Sequence, residues 1–397
     1  MTLMQQQLTS RSGPDGAIAP GLAGRGAPSA VAPTASAILH VAGRVDQRAF
    51  AYIGAACRAL DAFDVVQVVV MFANDRHRKL HESLPPGVQV IVVPVGWLAL
   101  RAVLQKVLTD MRFSAIHLHG LLPCLMSAFL LGESAHRARV FYSPHGSRAV
   151  TTWRRLGLVL TRAVMRLTGA ASQTPVATVP HEAHWLRRST GTDTDLLEAA
   201  VPDAYFDAIR ADAEVDGLIV AAAGSPDDDQ AVSRFTRLAV FLASETPPVR
   251  FCWVGEVDAP DRARLKAAGV EIVVSNDDVE IARRLASAAI YVQPDTDGGF
   301  PIRLASAMAA GCACVAQFSF GHADLIRHGS TGLIAHSPDE FVRYVGYLLE
   351  NAAQRNSLAK LARDEARRRF RMTEFRDAVV RLYGIAPANT EPLSVNA

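Results

Sequence analysis

The sequence predicts an α/β protein of two domains, each a parallel sheet covered by helices, facing each other across a cleft. Three observations lead there. Short, almost wholly apolar runs of strand length alternate with amphipathic segments of helix length. That alternation stops in a polar stretch, Asp203 to Asp216, and then begins again. The chain also has 397 residues, more than the roughly 250–300 at which a single core stops growing.

The elements follow in order. Ser36-Ala-Ile-Leu-His-Val is the first buried strand, ending at Ala42-Gly43-Arg44, and Gln47 to Leu60 reads as a helix. Strands are expected at Val65 to Phe72, Val88 to Val93, Ala115 to His119 and Arg139 to Ser143, with helices at Leu98 to Met111 and Pro123 to Leu131 between them. After the polar stretch, Leu218 to Ala223, Val249 to Val254, Val270 to Val274, Ala289 to Val292 and Ala313 to Ala316 carry the strand pattern. Helices are expected at Ala231 to Ala243, Pro260 to Ala268, Asp278 to Ser287 and Ile302 to Ala310, and a helical region from Asp339 to Val380 breaks near Phe370. The expected division is a flexible leader at 1–35, a first domain at 36–210, a second at 211–365, and a C-terminal helix and tail at 366–397.

Composition narrows the class. Half the residues are hydrophobic and 20% are charged, so the chain is too apolar to be disordered; 27 Gly and 21 Pro are ordinary for a globular protein. The net charge of +2 gives no support for a nucleic-acid binder. The five cysteines are scattered, and Cys312-Ala-Cys314 is too tight for a CxxC arrangement, so they read as buried thiols in a reducing compartment. No basic segment leads into a long apolar run at the N-terminus, and no apolar stretch reaches the roughly 20 residues of a spanning helix. The expected location is the cytoplasm, including the inner face of the cell membrane.

Asp297-Gly-Gly-Phe-Pro-Ile-Arg-Leu-Ala-Ser-Ala-Met-Ala-Ala-Gly311 resembles the nucleotide-sugar-binding signature of retaining glycosyltransferases of family 4, which have the GT-B architecture of two Rossmann-like domains. Trp253-Val-Gly255, Tyr291-Val-Gln-Pro294 and Gly321-His-Ala-Asp324 stand at family-like places around it. Ile116-His-Leu-His119-Gly120 and Tyr142-Ser-Pro-His145-Gly146 resemble the family's two histidine-bearing loops. The resemblance spans roughly residues 36–390. It departs where the family places two glutamates, here Gly298 and Ser306, and an arginine and a lysine, here Ser225 and Gln230 in a loop that adds Asp227, Asp228 and Asp229.

The resemblance implies transfer of a sugar from a nucleotide-diphosphate sugar to a saccharide acceptor, a lipid-linked one in polysaccharide biosynthesis, with no further cofactor. It implies that His119 and His145 lie near the transferred sugar and the acceptor. It also implies that Asp297, Gly298, Gly299, Phe300, Pro301, Arg303 and Asp324 line the donor side. Chemistry fits those residue types: amides at a helix N-terminus and an arginine take up the charge of a diphosphate leaving group. Each residue has a plainer reading too. The glycines and Pro301 suit a turn and a helix start, Arg303 a solvated surface, the histidines a satisfied core, and the aspartate run an exposed turn with Asp229 as a cap. His117 is left out, because a His119 already in the loop would break the strand's alternation. Arg155, Arg162 and Arg166 share a helical face that suits either solvent or an anionic membrane, and Arg367 to Arg371 suits a structural clamp, surface charge or membrane contact. Two rival functions stay open: a catalytically silent GT-B protein that partners an active transferase, and another GT-B reaction such as nucleotide-sugar epimerisation.

Overall fold

The structure, a computed structural model, describes residues 36–43, 47–73, 84–120, 123–124, 126–131, 138–145, 173–208, 218–223, 229–243, 249–275, 277–296 and 299–385. The leader at 1–35, the basic segment with Arg155, Arg162 and Arg166, the acidic Asp227 and Asp228 with Ser225, and the pair Asp297 and Gly298 lie outside the described residues.

The first sheet has seven parallel strands in the order β3-β2-β1-β4-β5-β6-β7. They are β1 (Ser36–Ala42), β2 (Val65–Phe72), β3 (Gln89–Val93), β4 (Ala115–His119), β5 (Arg139–Ser143), β6 (Thr174–Ala177) and β7 (Asp195–Leu196). Helices α1 (Gln47–Ala59), α2 (Trp97–Asp110), α3 (Ser127–Leu131) and α4 (Pro180–Thr190) connect them. The apolar run of β2 is buried over its last six residues because helices cover both faces, as parallel pairing requires. Its one polar member, Gln67, donates from Nε2 to the Cys57 carbonyl at 3.1 Å, while its Oε1 is buried without a partner.

The second sheet has six parallel strands in the order β10-β9-β8-β11-β12-β13. They are β8 (Leu218–Ala223), β9 (Val249–Val254), β10 (Glu271–Val273), β11 (Ile290–Gln293), β12 (Ala313–Gln317) and β13 (Leu333–Ala335). Around it run α6 (Asp229–Leu242), α7 (Ala259–Ala267), α8 (Asp278–Ala286), α9 (Ile302–Ala310), α10 (Phe320–Leu325) and α11 (Pro338–Glu350). Local chemistry sets the helix ends. Asp258, Asp277, Ser319 and Ser337 each accept an amide of the first turn, and Gly311 ends α9 in the left-handed region at φ 85°.

The polar stretch between the sheets is not all connector. Asp203–Asp207 forms a helix, α5, whose Tyr205 and Phe206 are buried. The C-terminal helical region is three helices: α11, α12 (Ala352–Arg369) and α13 (Met372–Tyr383). The break at Phe370 was legible in the sequence; the one at Asn351 was not. Alpha13 packs against α1, so the chain returns to the first sheet. Phe370 from this return, with Tyr205 and Phe206 of α5, joins Ile38 and Phe141 of the first sheet, Tyr291 of the second and Leu304 of α9 in one continuous hydrophobic cluster. Each sheet also has a separate cluster, one around Leu39 and Leu118, the other around Val220 and Trp253. All five cysteines are buried and free, as their sequence surroundings suggest.

Candidate active site

Two sheet edges carry the functional candidates. On the first sheet, His119 is the last residue of β4, still within the strand, so the alternation holds and His117 shares its face. His40 of β1 stands in register opposite His117. These three side chains are wholly buried, and His145, just past β5, is half-buried beside them.

The four imidazoles form one array. His40 Nδ1 lies 3.0 Å from His119 Nε2, and His119 Nδ1 lies 2.9 Å from His145 Nε2. His117 Nε2 is 2.9 Å from Ser143 Oγ and its Nδ1 2.7 Å from the Tyr383 hydroxyl of α13. Tyr52 of α1 sets its ring edge-on to His145 at 5.0 Å. Burial lowers His40 to about 4 and holds His117 and His119 well below the usual imidazole range, where the neighbouring imidazoles add to the effect. The buried members are therefore neutral at pH 7. His145 holds φ at 56°, the one positive value outside glycine among the described residues, and such a conformation persists only where its surroundings fix it.

His40, His117 and His119 bring ligand atoms within 4.8 Å of one another, close enough for a metal ion. Their ring planes lie within 28° of parallel, however, and the His117 and His119 rings stack at 4.3 Å. His40 Nδ1 and His119 Nε2 face each other, and both nitrogens of His117 already face Ser143 and Tyr383. The array is built for hydrogen bonds.

On the second sheet, α9 begins at Ile302, with Pro301 at its N-cap and no side chain capping it. Gly299 is buried, and the Phe300 ring packs edge-on against Phe370 at 5.4 Å, so Phe300 belongs to the core. Arg303 points back towards the end of β9: a Cβ added to Gly255 would meet its two terminal nitrogens at 3.8 and 3.9 Å. Gly255 holds φ at 129°, which also favours glycine there. Ser306 is buried in the middle of α9, and the Tyr205 hydroxyl of α5 donates to Asp278 Oδ1 at 3.1 Å.

Sequence reasoning missed the charged group nearest this edge. Tyr291, Gln293 and Asp295 alternate along one face of β11 and its extension. The Tyr291 hydroxyl donates to Gln293 Oε1 at 2.6 Å, and Gln293 Nε2 donates to Asp295 Oδ2 at 2.7 Å. Asp295 Oδ1 lies 3.3 Å from His322 Nε2, within ion-pair reach though not aligned as a hydrogen bond. His322 Nδ1 faces the Gln317 carbonyl at 2.7 Å, so that nitrogen carries a proton. A Pro-Asp pair after a strand reads as a turn, and nothing local points to a histidine 27 positions on.

Asp324 ties the second domain to a helix of the first. Its Oδ2 accepts the amide of His181 in the first turn of α4 at 2.7 Å, and the His181 ring stacks on Phe320 at 4.0 Å. Burial raises the Asp324 carboxyl, and the His181 amide partly offsets this. Arg369 pairs with Glu198 and Glu365 and reaches the Asp324 carbonyl, while Arg371 covers the Phe206 ring. Of the readings open for Arg367 to Arg371, these contacts make Arg369 and Arg371 a clamp.

Residues 218–351 are matched by the family model described as glycosyl transferases group 1. A glycosyltransferase from Rickettsia africae superposes with a TM-score of 0.72 at 12% identity, covering 88% of this chain and 98% of that one. Anabaena Alr3699/HepE, solved in complex with UDP and glucose, superposes at 0.68 with 16% identity over 88% of this chain and 99% of its own. Sucrose-phosphate synthase from Thermosynechococcus elongatus superposes at 0.67 with 17% identity, over 88% and 98%. No curated protein sequence matches the chain. The chain has the GT-B fold of these structures, and the family match falls within its second sheet and the helices around it.

Proposed function

We propose that the protein transfers a sugar from a nucleotide-diphosphate sugar to a hydroxyl of a saccharide acceptor, with retention at the anomeric carbon. The observation that carries this reading is the histidine array at the end of β4 and β5, held rigid on a fold whose second domain matches a transferase family. In a retaining reaction the leaving diphosphate takes the acceptor's proton, so the protein needs no pair of carboxylates. It has to hold the sugar and acceptor and to neutralise the diphosphate. On this reading His119 and His145 serve the first task. The uncapped start of α9 with Gly299, Pro301 and Arg303, continuing from Asp297 and Gly298, serves the second. Lipid-linked saccharides at the inner face of the membrane are the acceptor class this reading favours; among the described residues no helix is long and apolar enough to cross a membrane.

Calorimetric titration with UDP, UDP-glucose and GDP-mannose tests the donor half, and we expect one of them to bind. A second reading, a silent partner of an active transferase, draws on Ser306 standing buried where the resemblance places a glutamate. Absence of binding by every nucleotide sugar, with a second protein co-purifying, would decide for that reading.

A further inference from the structure

We propose that the trough between α6 and α11 binds an anionic membrane lipid, with the phosphate at Arg237 and a hydrocarbon chain along the trough. The two helices cover the face of the second sheet turned away from the shared core. The hydrophobic cluster beneath them, around Val220 and Trp253, is separate from the one that joins the two sheets. The inference therefore stands apart from the transferase reading.

Shape comes first. The strands that feed α6 and α11 are parallel, so the helices run the same way, and they leave between them a cavity of about 620 Å³. That is the size of a small-molecule pocket. Its floor is the outside of the domain's own core, at Leu242, Phe341 and Leu349. Phe241 of α6 and Tyr347 of α11 border its apolar end and are exposed. Gly346 lies between them in sequence order along α11, across from Leu242. A glycine inside a helix costs about 1 kcal/mol relative to alanine, and neither usual reason for one applies here. Its φ is not positive, and a Cβ there would meet only Leu242, at 3.9 Å, an ordinary contact. The missing side chain keeps the trough open.

Charge defines the other end. Arg234 and Arg237, one turn apart on α6, line it together with Arg343 of α11. Arg234 is engaged within the protein, donating to the Pro294 carbonyl at 2.8 Å and to Gln230 Oε1 at 2.5 Å. Arg343 lies 3.6 Å from Glu340, and Arg264, in the recess that continues from this end, donates to Asp261 at 2.8 Å. Arg237 is exposed and has no hydrogen-bond or ion-pair partner among the described residues. Two carboxylates also line the trough. Asp339 stands in the first turn of α11, where it offsets the helix dipole, and Glu350 closes the apolar end, where it repels an anionic head. A ligand with one anionic end and an apolar body thus has one orientation. Val240, exposed beside Phe241, continues the apolar surface outward, as a membrane contact requires. An acidic peptide would meet Arg237 but leave the apolar end uncovered, and a neutral saccharide would leave Arg237 unpaired.

The test is calorimetry of the full chain with dihexanoylphosphatidylglycerol below its micelle concentration, against dihexanoylphosphatidylcholine and glycerol phosphate. One lipid should bind per chain, about tenfold or more tighter than either control, because the first control has no net charge and the second no chain. Gly346→Leu fills the trough with a better helix former, so the urea midpoint should not fall while lipid affinity drops about tenfold or more. Arg237→Gln should cost about tenfold for the anionic lipid and nothing for the zwitterionic one. Vesicles of phosphatidylcholine with phosphatidylglycerol should bind the chain, and vesicles of phosphatidylcholine alone should not. No lipid binding, equal affinity for the controls, or unchanged affinity in Gly346→Leu overturns the proposal. Vesicle binding that survives both substitutions also overturns it and moves the contact to another surface, such as that of Arg155, Arg162 and Arg166. A chain that dimerises unless it carries Gly346→Leu, with no lipid bound, overturns it in favour of a second copy. Nucleotide-sugar binding should be the same in both variants, so failure of either reading leaves the other standing.

Discussion

The edge of the first sheet and the edge of the second solve the problem of polar groups in an apolar core in opposite ways. The first uses neutral rings: His40, His117 and His119 are held uncharged by burial and hydrogen-bond to one another, to Ser143 and Tyr383 and outward to His145. The second keeps charge at its edge, with Asp295 against His322 at 3.3 Å and Arg303 beside Gly255. Neutral groups cost little to bury once paired, whereas buried charges depend on their partners being in place. The second edge should therefore be the more fragile of the two, and the first the more sensitive to acid.

The largest effect expected is at Asp295. Asp295→Ala removes the partner of both Gln293 and His322 and should cost about 3 kcal/mol of unfolding free energy, read from urea denaturation. A change of a few tenths would mean that this edge is no more dependent on charge than the first. Arg303→Ala comes next. It should weaken donor binding by about tenfold or more with the fold intact, the loss expected for a charge-assisted hydrogen bond to phosphate. Unaltered nucleotide-sugar affinity in calorimetry would remove Arg303 from the site. His119→Ala should lower turnover by about tenfold or more, because it separates His40 from His145.

Acid sharpens the same contrast from the other side. The folded-state values of His40, His117 and His119 are depressed, so the unfolded chain binds their protons first. Their contribution is fully present above about pH 6.5, the ordinary imidazole value, and is lost as pH falls towards the folded value of about 4 for His40. The urea midpoint should drop between pH 7 and pH 5, and less so in His40→Phe. The smallest effect is at Asp324, whose carboxylate caps α4: Asp324→Ala should cost about 1 kcal/mol.

Much of this was legible in the sequence, and the parts that were not share a cause. Buried parallel strands announce themselves, so Val65 to Phe72 and Ala115 to His119 coincide with β2 and β4, and α9 runs over Ile302–Ala310 as its apolar pattern says. The two-residue β7 and the three-residue β13 are too short to carry a period. His119 and His145 could be named from their loops. His40 could not, because within Ala-Ile-Leu-His-Val it reads as a strand residue, and its partner lies 79 positions away. Asp295 was missed in the same way, and so was the hydrogen bond of Asp324 to a helix of the other domain, 143 positions earlier. Local pattern predicts elements; long-range pairing decides what the polar residues do.

The Tyr383 hydroxyl on His117 also sets an order of events in synthesis. Alpha13 completes the first domain's core, yet its codons are translated only after the whole second sheet has been made. While a ribosome is still making residues 218–335, the first sheet has emerged with that side of its histidine array uncovered. The usual vectorial rule, in which the N-terminal domain finishes first, cannot hold here. The first half reaches its final form only when the last helix docks.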